Sequence, residues 1–125
     1  MSESVPTVVA TVSNAMVALH KAQFGRGPTS ARTHFAGPDA LICVLDDALL
    51  PAERSLVAMG EALRVQESRM FLQEATRDRF VRTVEQIVYR KVRSFSSACD
   101  AHTATVVEVF VFEPLQPNDA PADAG

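Results

Sequence analysis

The chain has 125 residues, 47% of them apolar and 22% charged, with 12 basic against 15 acidic side chains and a net charge of −3. This is the size and balance of one globular domain with its own core, which excludes a disordered, collagen-like or disulfide-scaffold chain. The longest apolar run, Ala40 to Leu45, falls far short of the ~20 residues that span a bilayer.

Residues 1–6 carry no pattern and are expected to fray. Thr7 to Phe24 predicts a first helix, because Val8, Val12, Ala15, Met16 and Leu19 recur on one stripe. Gly25 is suited to end it. The next six residues, Gly25-Arg26-Gly27-Pro28-Thr29-Ser30, are the densest turn signal in the chain. Pro28 fixes its own φ and keeps Gly27 out of the helical region, so a defined loop is expected. A short strand follows over Ala31–Phe35, then a Gly37-Pro38-Asp39 hairpin turn, then a buried strand over Ala40–Leu45.

Pro51-Ala52-Glu53 opens a long helical region that runs to about Val92, with Gly60 as a bend or break. Leu50 stands at its N-cap, where a side-chain acceptor is missing. Phe80, Val84, Ile87 and Val88 form an apolar stripe in its second half. Between Glu61 and Arg93 there are eight cations and five anions, which reads as a solvated mixed-charge face or as a docking surface for an acidic partner, a phosphate or membrane headgroups, and not as a nucleic-acid footprint. Strands are expected over Arg93–Ala98 and Ala104–Phe112. In the last one Val107, Val109 and Val111 share one face, and Val106, Phe110 and Phe112 share the other with Glu108. Apolar residues on both faces mark a central strand or one covered by a subunit interface. Residues 114–125 are rich in Pro and Asp, which predicts a flexible acidic tail.

These elements predict a single α+β domain over residues 7–113, in the order α-β-β-α-α-β-β. Two β-hairpins would form a four-stranded, mostly antiparallel sheet, with the N-terminal helix and the long helical region on one face.

Motifs for catalysis are missing. His20, His34 and His102 show no HxxxH or HExxH spacing, and neither they nor Cys43 and Cys99 make a zinc pattern. Asp46 and Asp47 are adjacent at a strand end, where a solvated turn is expected rather than a cation site. Cys99, Asp100 and His102 share a loop but lack the framing of a nucleophile and its base. No catalytic residue, metal or cofactor is therefore expected. Gly25 to Arg32 is the one stretch with binding character. Arg26, Gly27, Pro28, Thr29, Ser30 and Arg32 would offer amide and hydroxyl donors beside two cations, suited to a small anion, a nucleotide or a partner. It lacks the GK[ST] of a phosphate loop.

Gly25-Arg26-Gly27-Pro28-Thr29-Ser30-Ala31-Arg32-Thr33, followed by Leu50-Pro51-Ala52-Glu53 and by Val107-Glu108-Val109-Phe110-Val111-Phe112-Glu113, resembles a small bacterial family. It was formerly a domain of unknown function and is named after MpsC, a proposed accessory component of a sodium-translocating, membrane-potential-generating system. The family commonly has Thr where this chain has Leu50. The resemblance implies a small cytoplasmic protein, encoded in some genomes near a membrane complex linked to inorganic-carbon uptake and membrane potential. It implies no catalytic activity and no ligand residues.

The expectation is a non-enzymatic accessory or regulatory protein that works by docking. It would form a homo-oligomer and engage a protein of a membrane complex. No nucleic acid, signal peptide or transmembrane segment is expected, and two unpaired cysteines suit a reducing cytoplasm. The alternative is a small-anion or nucleotide sensor built on the Gly25–Arg32 loop.

Overall fold

A computed structural model describes residues 7–115. The expected frayed N-terminus, and the expected tail from residue 116 onward, lie outside the described residues. The elements are α1 (Val8–Phe24), β1 (Ser30–Phe35), β2 (Ala40–Asp46), α2 (Pro51–Ala58), α3 (Ala62–Ala75), α4 (Arg77–Val88), β3 (Val92–Asp100) and β4 (Thr105–Phe112). The expected α+β domain with two hairpins is found. The long helical region is three helices rather than two. Gly60 takes a left-handed φ of 83° and separates α2 from α3, and Thr76 separates α3 from α4. The region ends at Val88, short of Val92, because Tyr89 turns left-handed at φ 59°.

The starts of α1 and α2 and the end of α1 have local causes. Thr7 caps α1 instead of joining it, and its hydroxyl accepts from the Ala10 amide at 3.1 Å. Gly25 ends α1 with φ 82°, the left-handed conformation that glycine adopts without a Cβ penalty. At α2, Pro51 holds the first position, and Glu53 reaches back to accept from the Leu50 amide at 2.8 Å. That is half of a capping box. Leu50 has no acceptor for the reciprocal bond.

The sheet is fully antiparallel, with strand order β1-β2-β4-β3. The last strand therefore lies inside the sheet. Its register places Leu41, Phe110 and Phe95 in one cross-strand row, and Cys43, Glu108 and Ser97 in the next. These rows face the helices. Val12 and Met16 of α1, and Phe80 and Val84 of α4, close over them to make the core. Phe80, Phe95 and Phe110 stack in series at 5.9 and 4.7 Å between ring centroids. A smaller cluster of Leu49, Ala62, Val65, Ala101 and Ala104 seats α3 on the β3–β4 turn.

The opposite face of the sheet carries Ile42, Val44, Val107, Val109 and Val111, and none of them belongs to either core cluster. Helices pack on the other side alone, as the contacts of α1, α3 and α4 with Thr33, Glu108 and Phe95 show. β4 is thus central in the sheet, and among the described residues no helix covers its second apolar face.

Leu50→Thr should complete the capping box, since Leu50 already has the extended backbone of an N-cap residue (φ −73°, ψ 156°). A gain of about 1 kcal/mol is expected, which for a domain of this size raises Tm by about 4 °C. Thermal unfolding followed by circular dichroism measures it; an unchanged or lower Tm would show that α2 is not limited by its cap.

Candidate functional site

The Gly25–Arg32 corner is held together by its own charges. Arg26 donates to the Asp47 carboxylate at 2.8 Å and to the carbonyls of Leu49 and Asp47 at 2.9 and 3.2 Å. Ser30 donates to Asp46 at 2.9 Å, Arg32 pairs with Asp46 at 3.2 Å, and the Thr29 amide donates to the Asp46 carbonyl at 3.1 Å. Arg54 of α2 closes on Asp47 from the other side. Hydrogen bonds from Arg26 and the charges of both arginines hold the Asp47 carboxyl below its ordinary value. Asp46 and Asp47 stay in contact with solvent, as expected of a turn, and also anchor a latch between the end of α1, β2 and α2.

Gly27 is required here for space. A Cβ would sit 3.1 Å from the Val17 carbonyl and 3.4 Å from Lys21 Cβ, so the loop lies flush against α1. Arg26, Ser30 and Arg32 are thus brought together, but around carboxylates of the chain itself. An external anion at this corner would compete with Asp46 and Asp47 for the Arg26, Ser30 and Arg32 donors.

A second polar constellation lies inside the protein. Glu108, at the centre of β4, is fully buried. Its Oε1 is 2.8 Å from Nε2 of His20 on α1 and accepts from Gln73 Nε2 on α3 at 3.1 Å. His20 is itself 2% exposed, sits edge-on to Phe80 at 5.3 Å, and has no hydrogen-bond partner at Nδ1. One turn back on α3, the buried Arg69 donates to both Glu53 oxygens and to the Ala48 carbonyl, with its guanidinium over the Phe24 ring at 3.8 Å. Burial raises the Glu53 carboxyl, but the hydrogen bonds from Arg69 and the Leu50 amide outweigh it and hold the group below its ordinary value.

The sequence marked Glu108 as the one polar residue on an apolar face. Its partners, His20 and Gln73, are 88 and 35 residues away, and no spacing rule connects them.

Over this cluster lies a cavity of about 270 Å³ between α3 and β3, bounded by Leu63, Met70, Gln73, Ser97 and Cys99 among others. A hollow of about 220 Å³ continues it toward Arg77 and Phe95, sharing Met70, Gln73 and Ser97. Together they form one groove along β3.

Of the three residues expected in one loop, Cys99 and Asp100 instead end β3, and only His102 lies in the turn that follows. Asp100 accepts from the backbone amide of His102 at 3.0 Å, and burial pushes the Cys99 thiol above its ordinary value. Burial does the same to Cys43. Among the described residues, no group of three or more His, Cys, Asp or Glu side chains is placed to hold a metal ion, and no helix is long and apolar enough to cross a membrane.

Two outcomes test this polar interior. Glu108→Ala leaves His20 Nε2 and the Gln73 amide without their buried acceptor, and should cost about 3 kcal/mol in denaturant unfolding. A loss below about 0.5 kcal/mol would mean that water replaces the carboxyl. Glu53 has a depressed folded value, so its contribution is present above the unfolded value near 4.5 and is lost as pH falls through the folded one. Glu53→Gln should accordingly lower stability at neutral pH and flatten its dependence on pH below about 4.5; parallel curves for the two proteins would refute the assignment.

No curated protein and no solved structure matches the chain. The sequence profile described as "Na+-translocating membrane potential-generating system (MpsC)" matches residues 6–114. That span includes the corner latch, the buried His20–Glu108 pair and every strand of the sheet. The chain belongs to the MpsC family and so has a role linked to a Na+-translocating, membrane-potential-generating system.

Proposed function

We propose that this protein is a non-enzymatic accessory subunit of such a system and acts as a homodimer joined through the open face of its sheet. The observation that carries the reading is the half-buried aliphatic field of Ile42, Val44, Val107, Val109 and Val111 on the two central strands, which no helix among the described residues covers. An antiparallel sheet that faces water on one side alternates apolar with polar residues. Here the water-facing positions of the central strands are β-branched and apolar. Arg32 and His34 rim the field on the β1 side, and Ser94 and Ser96 on the β3 side. Such a field fits a second copy of itself about a two-fold axis, with sheets about 10 Å apart.

The non-enzymatic part of the reading rests on the interior. Glu108 is fully buried and bonded to His20, and burial pushes both thiols toward the protonated form, which disfavours the reactive thiolate. Association with the membrane complex would then run through protein contacts.

Light scattering should give twice the 13.5 kDa chain mass. Val109→Glu should give the single-chain mass with circular dichroism unchanged, because that side chain lies outside the core. A monomeric parent protein at tens of micromolar would overturn the dimer.

A further inference from the structure

We propose that the groove between α3 and β3 binds an extended, basic segment of a partner protein, which adds to the sheet as a fifth strand beside β3. The proposal stands apart from self-association through the open face.

The first support is the backbone of β3. The Phe112 amide donates to the Asp39 carbonyl, on the β2 side of β4, and the Ala104 carbonyl accepts from Ala48 on that same side. Backbone groups alternate along a strand, so Val107, Val109 and Val111 direct theirs toward β3. Their register partners there are Ala98, Ser96 and Ser94. Phe95, Ser97 and Cys99 must then direct their N–H and C=O groups away from the sheet.

Side chains fill both ends of this outer row. Arg77 donates to the Phe95 carbonyl at 2.9 Å, and Gln66 accepts from the Ala101 amide at 3.0 Å. Between them, the amides and carbonyls of Ser97 and Cys99 have no partner among the described residues. An unpaired row of donors and acceptors on an edge strand is a template for another main chain. Polypeptide meets that pattern where a small molecule or a lipid does not.

The second support is the shape and charge of the walls. Leu63 and Met70 of α3 overhang the groove at 65% and 64% exposure, giving an apolar slot for a side chain of the incoming strand. Glu67 and Glu74, on the same helix face, line the two halves of the groove and make no ion pair among the described residues. Arg69 is paired with Glu53, and Arg77, bonded to the Phe95 carbonyl, offsets Glu74 in its half of the groove. Glu67 is left as the unpaired charge in the half beside Ser97 and Cys99. It complements Lys or Arg flanking one apolar residue, and that complementarity selects the partner.

The test pans a phage-displayed library of random linear peptides on the full chain, then measures synthetic versions of the enriched sequences by fluorescence anisotropy. Enriched peptides should place an aliphatic or β-branched residue between basic ones. Binding should weaken at least about tenfold in Glu67→Lys/Glu74→Lys. It should be lost in Ser97→Pro, which removes an outward N–H without breaking a bond to β4. Val109→Glu should bind as the parent does.

Amide exchange followed by NMR on the unaltered chain provides a readout that does not depend on the variants folding. Bound peptide should slow exchange at Ser97 and Cys99. The proposal fails if no sequence is enriched, if the consensus is acidic, if binding survives Ser97→Pro, or if those two amides stay unprotected in the complex. It also fails if Ser97→Pro, and not Val109→Glu, dissociates a dimer, since the edge would then belong to a second copy.

Discussion

The structure turns on one carboxyl group. Glu108 sits in the middle of the central strand, beneath the helices, with no access to water. A buried carboxyl is tolerated only when its oxygens are satisfied. Here His20 and Gln73 meet that demand from α1 and α3. Both side chains must be delivered to the same oxygen, which fixes the rotation of two helices against the sheet. Hydrophobic contacts alone tolerate sliding, and a shared hydrogen-bond acceptor does not. The neighbouring Arg69–Glu53 pair extends this polar layer to α2, so every helix except α4 is tied to it through a named polar contact.

This arrangement makes the molecule asymmetric. One face of the sheet is sealed by helices, aromatic stacking and internal ion pairs. The other face, the β3 edge and the outer side of α3 keep unmatched chemistry: aliphatic side chains, free backbone groups and unpaired glutamates. Glu108 is enclosed, and the aliphatic field, the strand edge and the glutamates of α3 are outside. That division suits the accessory role proposed above. The Gly25–Arg32 corner lies at the surface, but its arginines and the Ser30 hydroxyl already bridge the end of α1 to Asp46 and Asp47.

Much of the fold was legible because local chemistry agrees with global packing. Gly25 and Gly37 sit where the chain turns with positive φ, and the two hairpins are set off by visible turns. The alternation of Val107, Val109 and Val111 with Phe110 and Phe112 announced a strand apolar on both sides. The breaks at Thr76 and Tyr89 were hidden, since neither residue is a helix breaker by type and tertiary context imposes both. The corner was legible as a defined loop but not as a latch, because its partners, Asp46 and Asp47, belong to the far end of a hairpin. The Glu108 cluster was the least visible. A lone glutamate in an apolar strand signals something, but the identity of its partners depends on helix docking, which periodicity cannot supply. The groove was invisible for the same reason: it exists only once α3 has been placed alongside β3.

The strand order has a consequence for how the protein is made. β4 lies between β2 and β3, yet it is the last of the four strands to leave the ribosome. Until it arrives, β1 and β2 form an isolated hairpin, which is marginal in water, and the helices have no floor to rest on. The closing pairings span most of the domain's length, a topology of slow, non-local assembly. Folding is therefore completed only after synthesis has passed Phe112. Until then the Leu41–Leu45 side of the nascent chain is open, the kind of apolar surface that favours aggregation over folding.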